Sequence, residues 1–236
     1  MSIILNIETS TNVCSIALSE NGNCIFGKVN TDGLNHAKLL SLFIDEALTI
    51  LKERNKKLDA VAVSAGPGSY TGLRIGVSTA KGLCYGFGIP LISVSTLEIM
   101  SIAAKKVLKE TQNSVLITQY LLCPMIDARR MEVYAAFFDK NNELIKDISA
   151  DIIDENSYHD LLTKQPIYFF GNGAEKCKAV LTHQNARFLD DIVPLAENMI
   201  PFSEKYFSEN KFEDVAYFEP FYLKEFQTTQ QKKNCF

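Results

Sequence analysis

The residues best placed to do chemistry lie in four short segments: Glu8-Thr9-Ser10, the run Gly66-Pro67-Gly68-Ser69-Tyr70-Thr71-Gly72, Ser95-Thr96-Leu97-Glu98, and Asp127-Ala128-Arg129-Arg130-Met131-Glu132. A carboxylate at the end of a first strand can position a magnesium ion or a water, and it can equally hydrogen-bond the turn that follows. Both readings of Glu8, Thr9 and Ser10 stay open. A glycine-rich turn between a strand and a helix is the usual geometry for holding a phosphate on a helix N-terminus. Gly66-x-Gly68-x-x-x-Gly72, however, has one residue too many for the dinucleotide fingerprint, and it lacks the lysine and adjacent hydroxyl of a P-loop. The alternative is that the glycines turn tightly and that Gly72, Gly76 and Ala80, at i, i+4 and i+8, offer a small-residue face to a neighbouring helix.

Ser95 and Glu98 form a capping box, each satisfying a backbone N–H at a helix start, and this structural role is the favoured one. The Asp127–Glu132 segment is either a polar cluster facing a cleft or a solvated turn with weak local ion pairs, the latter being favoured. No G-x-S-x-G elbow exists. His36, His159 and His183 have no i, i+4 partner for zinc, so hydrolytic chemistry is poorly supported.

The elements that must position these residues follow from periodicity and punctuation. Ile3–Ile7, Val13–Ser19 and Cys24–Val29 read as three antiparallel strands, the last two joined through Asn21-Gly22, a strong hairpin signal. His36–Lys52 reads as a helix with Asn35 as its N-cap. Its stripe of Leu40, Phe43, Ala47 and Leu51 is flanked by Leu39, Leu42 and Ile50, more apolar surface than one core face requires, so a second face should meet another layer or another subunit. Leu58–Ser64 is a central strand leading through the glycine turn into a helix ending near Phe87, and strand Leu91–Val94 leads into helix Ser95–Lys109.

The second half repeats this more loosely. It holds strands at 121–126, 131–138 and 167–170, helices at 155–163 and 193–208, a further helix opened by Gly171-Asn172-Gly173, and a polar tail from Gln227. A meander followed by alternating strands and helices indicates a mixed sheet with helices packed on it. The expected division is a first lobe at 1–105, a reduced second lobe at 106–226 whose last segment packs back on the first, and a tail at 227–236.

Composition limits the function classes. With 236 residues, 47% hydrophobic and 22% charged, the chain is neither disordered nor fibrous. No apolar run approaches the roughly 20 residues of a membrane span, and the N-terminus lacks the pattern of a signal peptide, so a cytoplasmic protein with no membrane association is expected. Six scattered cysteines without a C-x-x-C pair read as buried small hydrophobes, forming neither disulfides nor a zinc site. The net charge of −4 divides unevenly: residues 1–105 carry 9 basic and 8 acidic groups, residues 106–236 carry 15 and 20. The basic clusters are Lys56-Lys57, Arg129-Arg130 and Lys232-Lys233, too few for autonomous RNA binding.

Several of these segments together resemble the TsaB/YeaZ family. They are Ile7-Glu8-Thr9-Ser10, the long run Ser64–Gly76, Ala80-Lys81-Gly82-Leu83, Gly88-Ile89-Pro90-Leu91, Val94-Ser95-Thr96-Leu97, Ile126-Asp127-Ala128-Arg129 with Glu132-Val133-Tyr134, and Glu219-Pro220-Phe221-Tyr222-Leu223. The resemblance implies an α/β, actin-like ASKHA (ribonuclease H-like) fold of two related lobes, each with a mixed sheet and packed helices. It also implies a non-catalytic subunit of the complex that makes N6-threonylcarbamoyladenosine in tRNA, one of the glycoprotease-like relatives. Such a subunit binds and activates a TsaD-like transferase, works with a TsaE-like ATPase, meets tRNA only through the complex, and homodimerises when isolated.

The helices equivalent to His36–Lys52 and Gly72–Phe87 would form the partner interface, giving Leu39, Leu42, Phe43, Tyr70, Leu73, Arg74 and Val77 as interface residues. Thr96 and Met100 stand where the catalytic paralogue carries two metal-binding histidines, which implies no metal here. Glu8-Thr9-Ser10 stands where ASKHA kinases have Asp-x-Gly, a vestigial phosphate or metal site, and no cofactor is implied. The competing expectations are an independent ASKHA phosphotransferase or metalloprotease-like enzyme, and a self-associating regulator.

Overall fold

In the computed structural model, which describes residues 2–33, 35–111 and 119–223, β1 (Ile3–Glu8) is buried along its whole length. Alternate side chains of a strand point to opposite faces, and both faces of this sheet are covered. Ile3, Leu5 and Ile7 pack with Leu40, Ile44, Ala47 and Leu51 of α1 (His36–Glu53) and with Val77, Ala80 and Cys84 of α2 (Tyr70–Phe87). On the opposite face Ile4 joins Ala60, Ala62, Ile92 and Val94 beneath Ile99 of α3 (Thr96–Thr111) and Met199 and Tyr206 of α5 (Ala196–Ser208). Two-sided burial is why these strands are written as continuous apolar runs.

The first sheet has the order β3-β2-β1-β4-β5. β2 (Cys14–Glu20) and β3 (Asn23–Asn30) run antiparallel in a meander from β1, while β4 (Ala60–Gly66) and β5 (Leu91–Ser95) run parallel to it. The β2–β3 turn uses Asn21 and Gly22 at φ 50° and 77°, the pair of positive angles that an Asn-Gly hairpin supplies.

The second sheet repeats this arrangement strand for strand. Its order is β10-β9-β6-β7-β8, in which β6 (Leu121–Asp127) takes the place of β1. β7 (Glu132–Phe138) and β8 (Leu144–Ile152) are the antiparallel neighbours, and β9 (Ile167–Phe170) and β10 (Ala186–Leu189) the parallel ones.

α3 lies between the two sheets. Ile99 serves the first, and Leu97, Met100, Ala104 and Leu108 pack with Leu122, Ile126, Phe138 and Phe170 of the second. α5 returns to the first sheet, where the Ala196 N–H donates to Ser15 Oγ at 2.9 Å and the Ser2 hydroxyl to Glu204 Oε2 at 2.6 Å.

Several local expectations are corrected. Asn35 sits before α1 at φ 69° without a side-chain capping bond. The helix expected over 155–163 is the single turn α4 (His159–Leu162), because Asp154, Asn156 and Ser157 close a side-chain-bonded turn and Tyr158 adopts φ 61°. The helix expected after Gly171-Asn172-Gly173 is one 3-10 turn, Glu175–Cys177. α5 begins at Ala196, beyond Pro194, and carries Pro201 within it. The tail expected from Gln227 lies outside the described residues.

Candidate functional site

The glycine turn and the β1–β2 turn are pressed together. A Cβ built on Gly68 would lie 2.3 Å from the Ser10 carbonyl oxygen, one on Gly72 2.1 Å from the Thr9 carbonyl oxygen, and one on Gly76 2.3 Å from Thr9 Oγ1. These positions must therefore be glycine so that residues 9 and 10 can lie against the start of α2. Hydrogen bonds hold the contact. The Ser69 N–H donates to the Ser10 carbonyl at 2.6 Å, the Thr9 hydroxyl donates to the Gly72 carbonyl at 2.8 Å, and the Ser69 hydroxyl caps the helix by accepting from the Gly72 N–H at 3.3 Å. The place where a phosphate would approach the glycines is filled by the chain itself. The small-residue face reads correctly as a close-approach surface, but what approaches Gly72 and Gly76 is this turn and not a neighbouring helix.

Glu8 lies beneath the contact. It is fully buried, and Oε1 accepts the Ser10 N–H at 2.5 Å, so the carboxyl does hydrogen-bond the turn that follows it. Ser64, at the end of β4, is its neighbour on the adjacent parallel strand, as the pairing of Ile7 with Val63 requires. Burial pushes the Glu8 pKa from 4.5 to about 7, against the opposing pull of the Ser10 and Ser64 hydroxyls. Glu8 Oε2, Ser10 Oγ and Ser64 Oγ make no hydrogen bond of ordinary geometry among the described residues. Sequence reasoning missed Ser64, and the register of β4 on β1 is what reveals it.

Thr96 and Met100 are both fully buried. Met100 is a core side chain whose methyl packs against Gly171, a position held to glycine by its φ of 100° and by the Met125 carbonyl oxygen, 2.5 Å from where a Cβ would stand. The capping box is formed, with the Ser95 N–H donating to Glu98 Oε2 at 3.1 Å and the Leu97 N–H to Ser95 Oγ at 3.3 Å. Glu98 Oε1 also accepts the Tyr206 hydroxyl at 3.1 Å, tying α3 to α5. No group of three or more His, Cys, Asp or Glu side chains placed to hold a metal ion occurs among the described residues.

The Asp127–Glu132 segment is a turn fastened by a residue not singled out from the sequence. Lys176 Nζ donates to Asp127 Oδ1 at 2.5 Å and to the carbonyls of Arg130 and Glu132, each at 2.6 Å.

The seven expected interface residues divide. Leu42 is 52% exposed and Tyr70 37%, Arg74 is exposed, and Leu39 and Phe43 are half-buried on α1. Leu73 and Val77 are 1% and 4% exposed, so their assignment as surface anchors is corrected: they belong to the interior. On a helix lying flat on a sheet, positions 73, 77, 80 and 84 form one inward stripe at i, i+4, i+7 and i+11. Outside this stripe Tyr70, Thr71, Arg74, Ile75, Ser78 and Thr79 line a shallow groove of about 530 Å³, completed by Ala37 and Ser41 of α1. The Arg74 guanidinium lies 5.3 Å from the Tyr70 ring centre and donates to its hydroxyl at 3.2 Å, and Tyr222 packs on the same ring at 5.0 Å.

Comparison with known proteins supplies the family. The family model described as "TsaD: tRNA N6-adenosine threonylcarbamoyltransferase" matches residues 33–225. The "tRNA threonylcarbamoyladenosine biosynthesis protein TsaB" of Escherichia coli is 30% identical over 227 residues, covering 94% of each chain. The protein of the same name from Haemophilus influenzae is 37% identical over 134 residues, covering 56% of this chain and 51% of its own. The chain belongs to the TsaB/YeaZ family. YeaZ from Pseudomonas aeruginosa superposes with a TM-score of 0.75 at 22% identity, covering 94% of this chain and all of that one. That structure shares the fold described above, two five-stranded mixed sheets with packed helices. The residues matched to the family model include both glycine turns, Gly66–Gly72 and Gly171–Gly173.

Proposed function

We propose that this protein is the non-catalytic, scaffolding subunit of a tRNA threonylcarbamoyladenosine-forming complex. It binds and activates a TsaD-like transferase through the outer face of α1 and α2, and a TsaE-like ATPase engages the pair. Its relatives' names supply the pathway. The observation that carries the non-catalytic reading is the filled turn: Ser10 and Thr9 occupy the space against Gly68 and Gly72 that a phosphate would need. The exposed Leu42 and Tyr70, with Arg74 and the half-buried Leu39 and Phe43, supply the contact surface, and Leu73 and Val77 support it from beneath. An apolar surface of this kind favours self-association when the partner is absent, so the isolated chain homodimerises through it. Among the described residues no helix is long and apolar enough to cross a membrane.

Light scattering of the chain alone and mixed with its cognate transferase tests the assembly, and transfer assays on each fraction test the division of labour. The expected result is a homodimer that gives way to a heterodimer, with modified tRNA formed only when the transferase is present. Threonylcarbamoyl transfer by the chain alone overturns the reading, as does failure to associate with the transferase.

A further inference from the structure

The tip of the β6–β7 hairpin has an unusual composition. Arg129 and Arg130 are consecutive residues at φ 72° and 49°, a left-handed conformation that Asn and Gly accept easily and a long side chain does not. Both are exposed, and among the described residues neither guanidinium makes an ion pair or a hydrogen bond. The backbone beneath them is fixed by Lys176, which is bound to the Arg130 and Glu132 carbonyls, and by the Arg129 N–H, which donates to Asp127 Oδ1 at 3.1 Å. Asp127, two residues before Arg129, is already paired with Lys176. Two unpaired guanidiniums therefore stand on a rigid support, in the half of the chain that carries 15 basic and 20 acidic residues.

An arginine fork matches phosphate oxygens in charge and in geometry. On the reading that the chain works in a tRNA-modifying complex, on which this inference rests, we propose that Arg129 and Arg130 contact backbone phosphates of the bound tRNA. Two such contacts are too few to hold RNA unaided, consistent with the acidic net charge. Within a complex they add to the phosphate contacts of the partner.

The test compares tRNA binding by the heterodimer across a salt series for the parent chain, for the double variant R129N/R130G, and for R129K/R130K. The Asn-Gly variant removes both charges while supplying residues suited to positive φ, so it folds at least as well as the parent, which thermal melting checks. Each phosphate contact contributes roughly one unit to the slope of log affinity against log salt. The expected result is a slope shallower by about two units and an affinity about tenfold weaker at low salt for R129N/R130G. R129K/R130K should keep most of the slope. Identical slopes for parent and R129N/R130G overturn the proposal alone, the heterodimer having formed. An unchanged tRNA slope accompanied by weaker ATP or TsaE-like ATPase binding also overturns it, in favour of a free nucleotide or an acidic protein at this tip. A parent chain that forms no heterodimer overturns the underlying reading and this proposal with it.

Discussion

Gly72→Ala and Gly82→Ala add the same methyl group to the same helix, yet they should move stability in opposite directions. In a helix interior Ala is favoured over Gly by roughly 0.5–1 kcal/mol. At Gly82 a Cβ would meet nothing within 4 Å, so that gain should be expressed in full. At Gly72 the Cβ would stand 2.1 Å from the Thr9 carbonyl oxygen, well inside contact distance and against backbone that has no rotamer to change. Relieving the clash requires the β1–β2 turn to lift by about 1 Å, which strains the Ser69–Ser10 and Thr9–Gly72 hydrogen bonds, each worth about 1 kcal/mol. Overpacking itself typically costs 1–3 kcal/mol, roughly. The net expectation is a loss of about 2–4 kcal/mol for Gly72→Ala beside a gain of up to about 1 kcal/mol for Gly82→Ala. At roughly 2–4 °C per kcal/mol for a chain of this size, the two melting temperatures should differ by about 10 °C. Urea denaturation followed by far-ultraviolet circular dichroism provides the free energies. Equal stability of Gly72→Ala and the parent would show that the turn is not seated on the helix. A melting temperature raised by magnesium ATP or pyrophosphate would show that the phosphate place is open after all.

The remaining predictions concern other parts of the same construction. Glu8 keeps its proton in the fold up to about pH 7, whereas the unfolded carboxyl titrates near 4.5, so stability should fall as pH rises through that window, by up to about 3 kcal/mol. Glu8→Gln should flatten the profile and exceed the parent above pH 7; denaturation at pH 5, 6, 7 and 8 checks this, and a parent profile that rises over the window refutes it. Leu73→Ala should cost about 2–5 kcal/mol of folding stability, as expected of a core leucine. Leu42→Glu should change stability by less than about 0.5 kcal/mol while weakening association with the transferase at least tenfold, read by light scattering and by calorimetric titration. Lys81 Nζ donates to the carbonyls of Ala216 and Phe218, at 3.0 Å each, so Lys81→Met should speed proteolytic cleavage around residues 214–218 several-fold with little effect on the melting temperature.

The first sheet was legible because each of its strands carries either strong apolar runs or an Asn-Gly turn, and the glycine segment marked the strand-to-helix junction. β8 and β10 were not. β8 is an edge strand whose residues Leu144–Ile152 face solvent on much of their surface, so neither alternation nor continuous apolarity marks it. β10 has only four residues. The misread helices have the same origin: local side-chain bonding at Asp154 and Ser157 outcompetes a helix that buries little, and packing of Gly173 on residues 126 and 127 ends the next one early. At the candidate site the residue types were legible and their orientation was not. Leu73 looks the same in sequence whether its side of α2 faces inward or a partner; its 1% exposure, beside Gly66 at the end of β4, decides it.

The two lobes use one device twice, with opposite results. Each ends its fourth strand in a glycine at large positive φ, 106° at Gly66 and 100° at Gly171, and two residues later presses a second glycine onto the preceding hairpin. A Cβ on Gly68 would stand 2.3 Å from the Ser10 carbonyl oxygen, and one on Gly173 about 3 Å from the backbone of Ile126 and Asp127. In the first lobe the hairpin collapses onto the glycines, and its one carboxyl is turned inward and kept neutral below about pH 7. In the second lobe Lys176 props the hairpin from below, and its charged residues are left pointing to solvent. The first turn lies against its own glycines, whereas the propped second turn leaves its two guanidiniums exposed. On the proposal above, recognition of an anion falls to the second hairpin, while the first holds the start of α2 through the Ser69–Ser10 and Thr9–Gly72 hydrogen bonds.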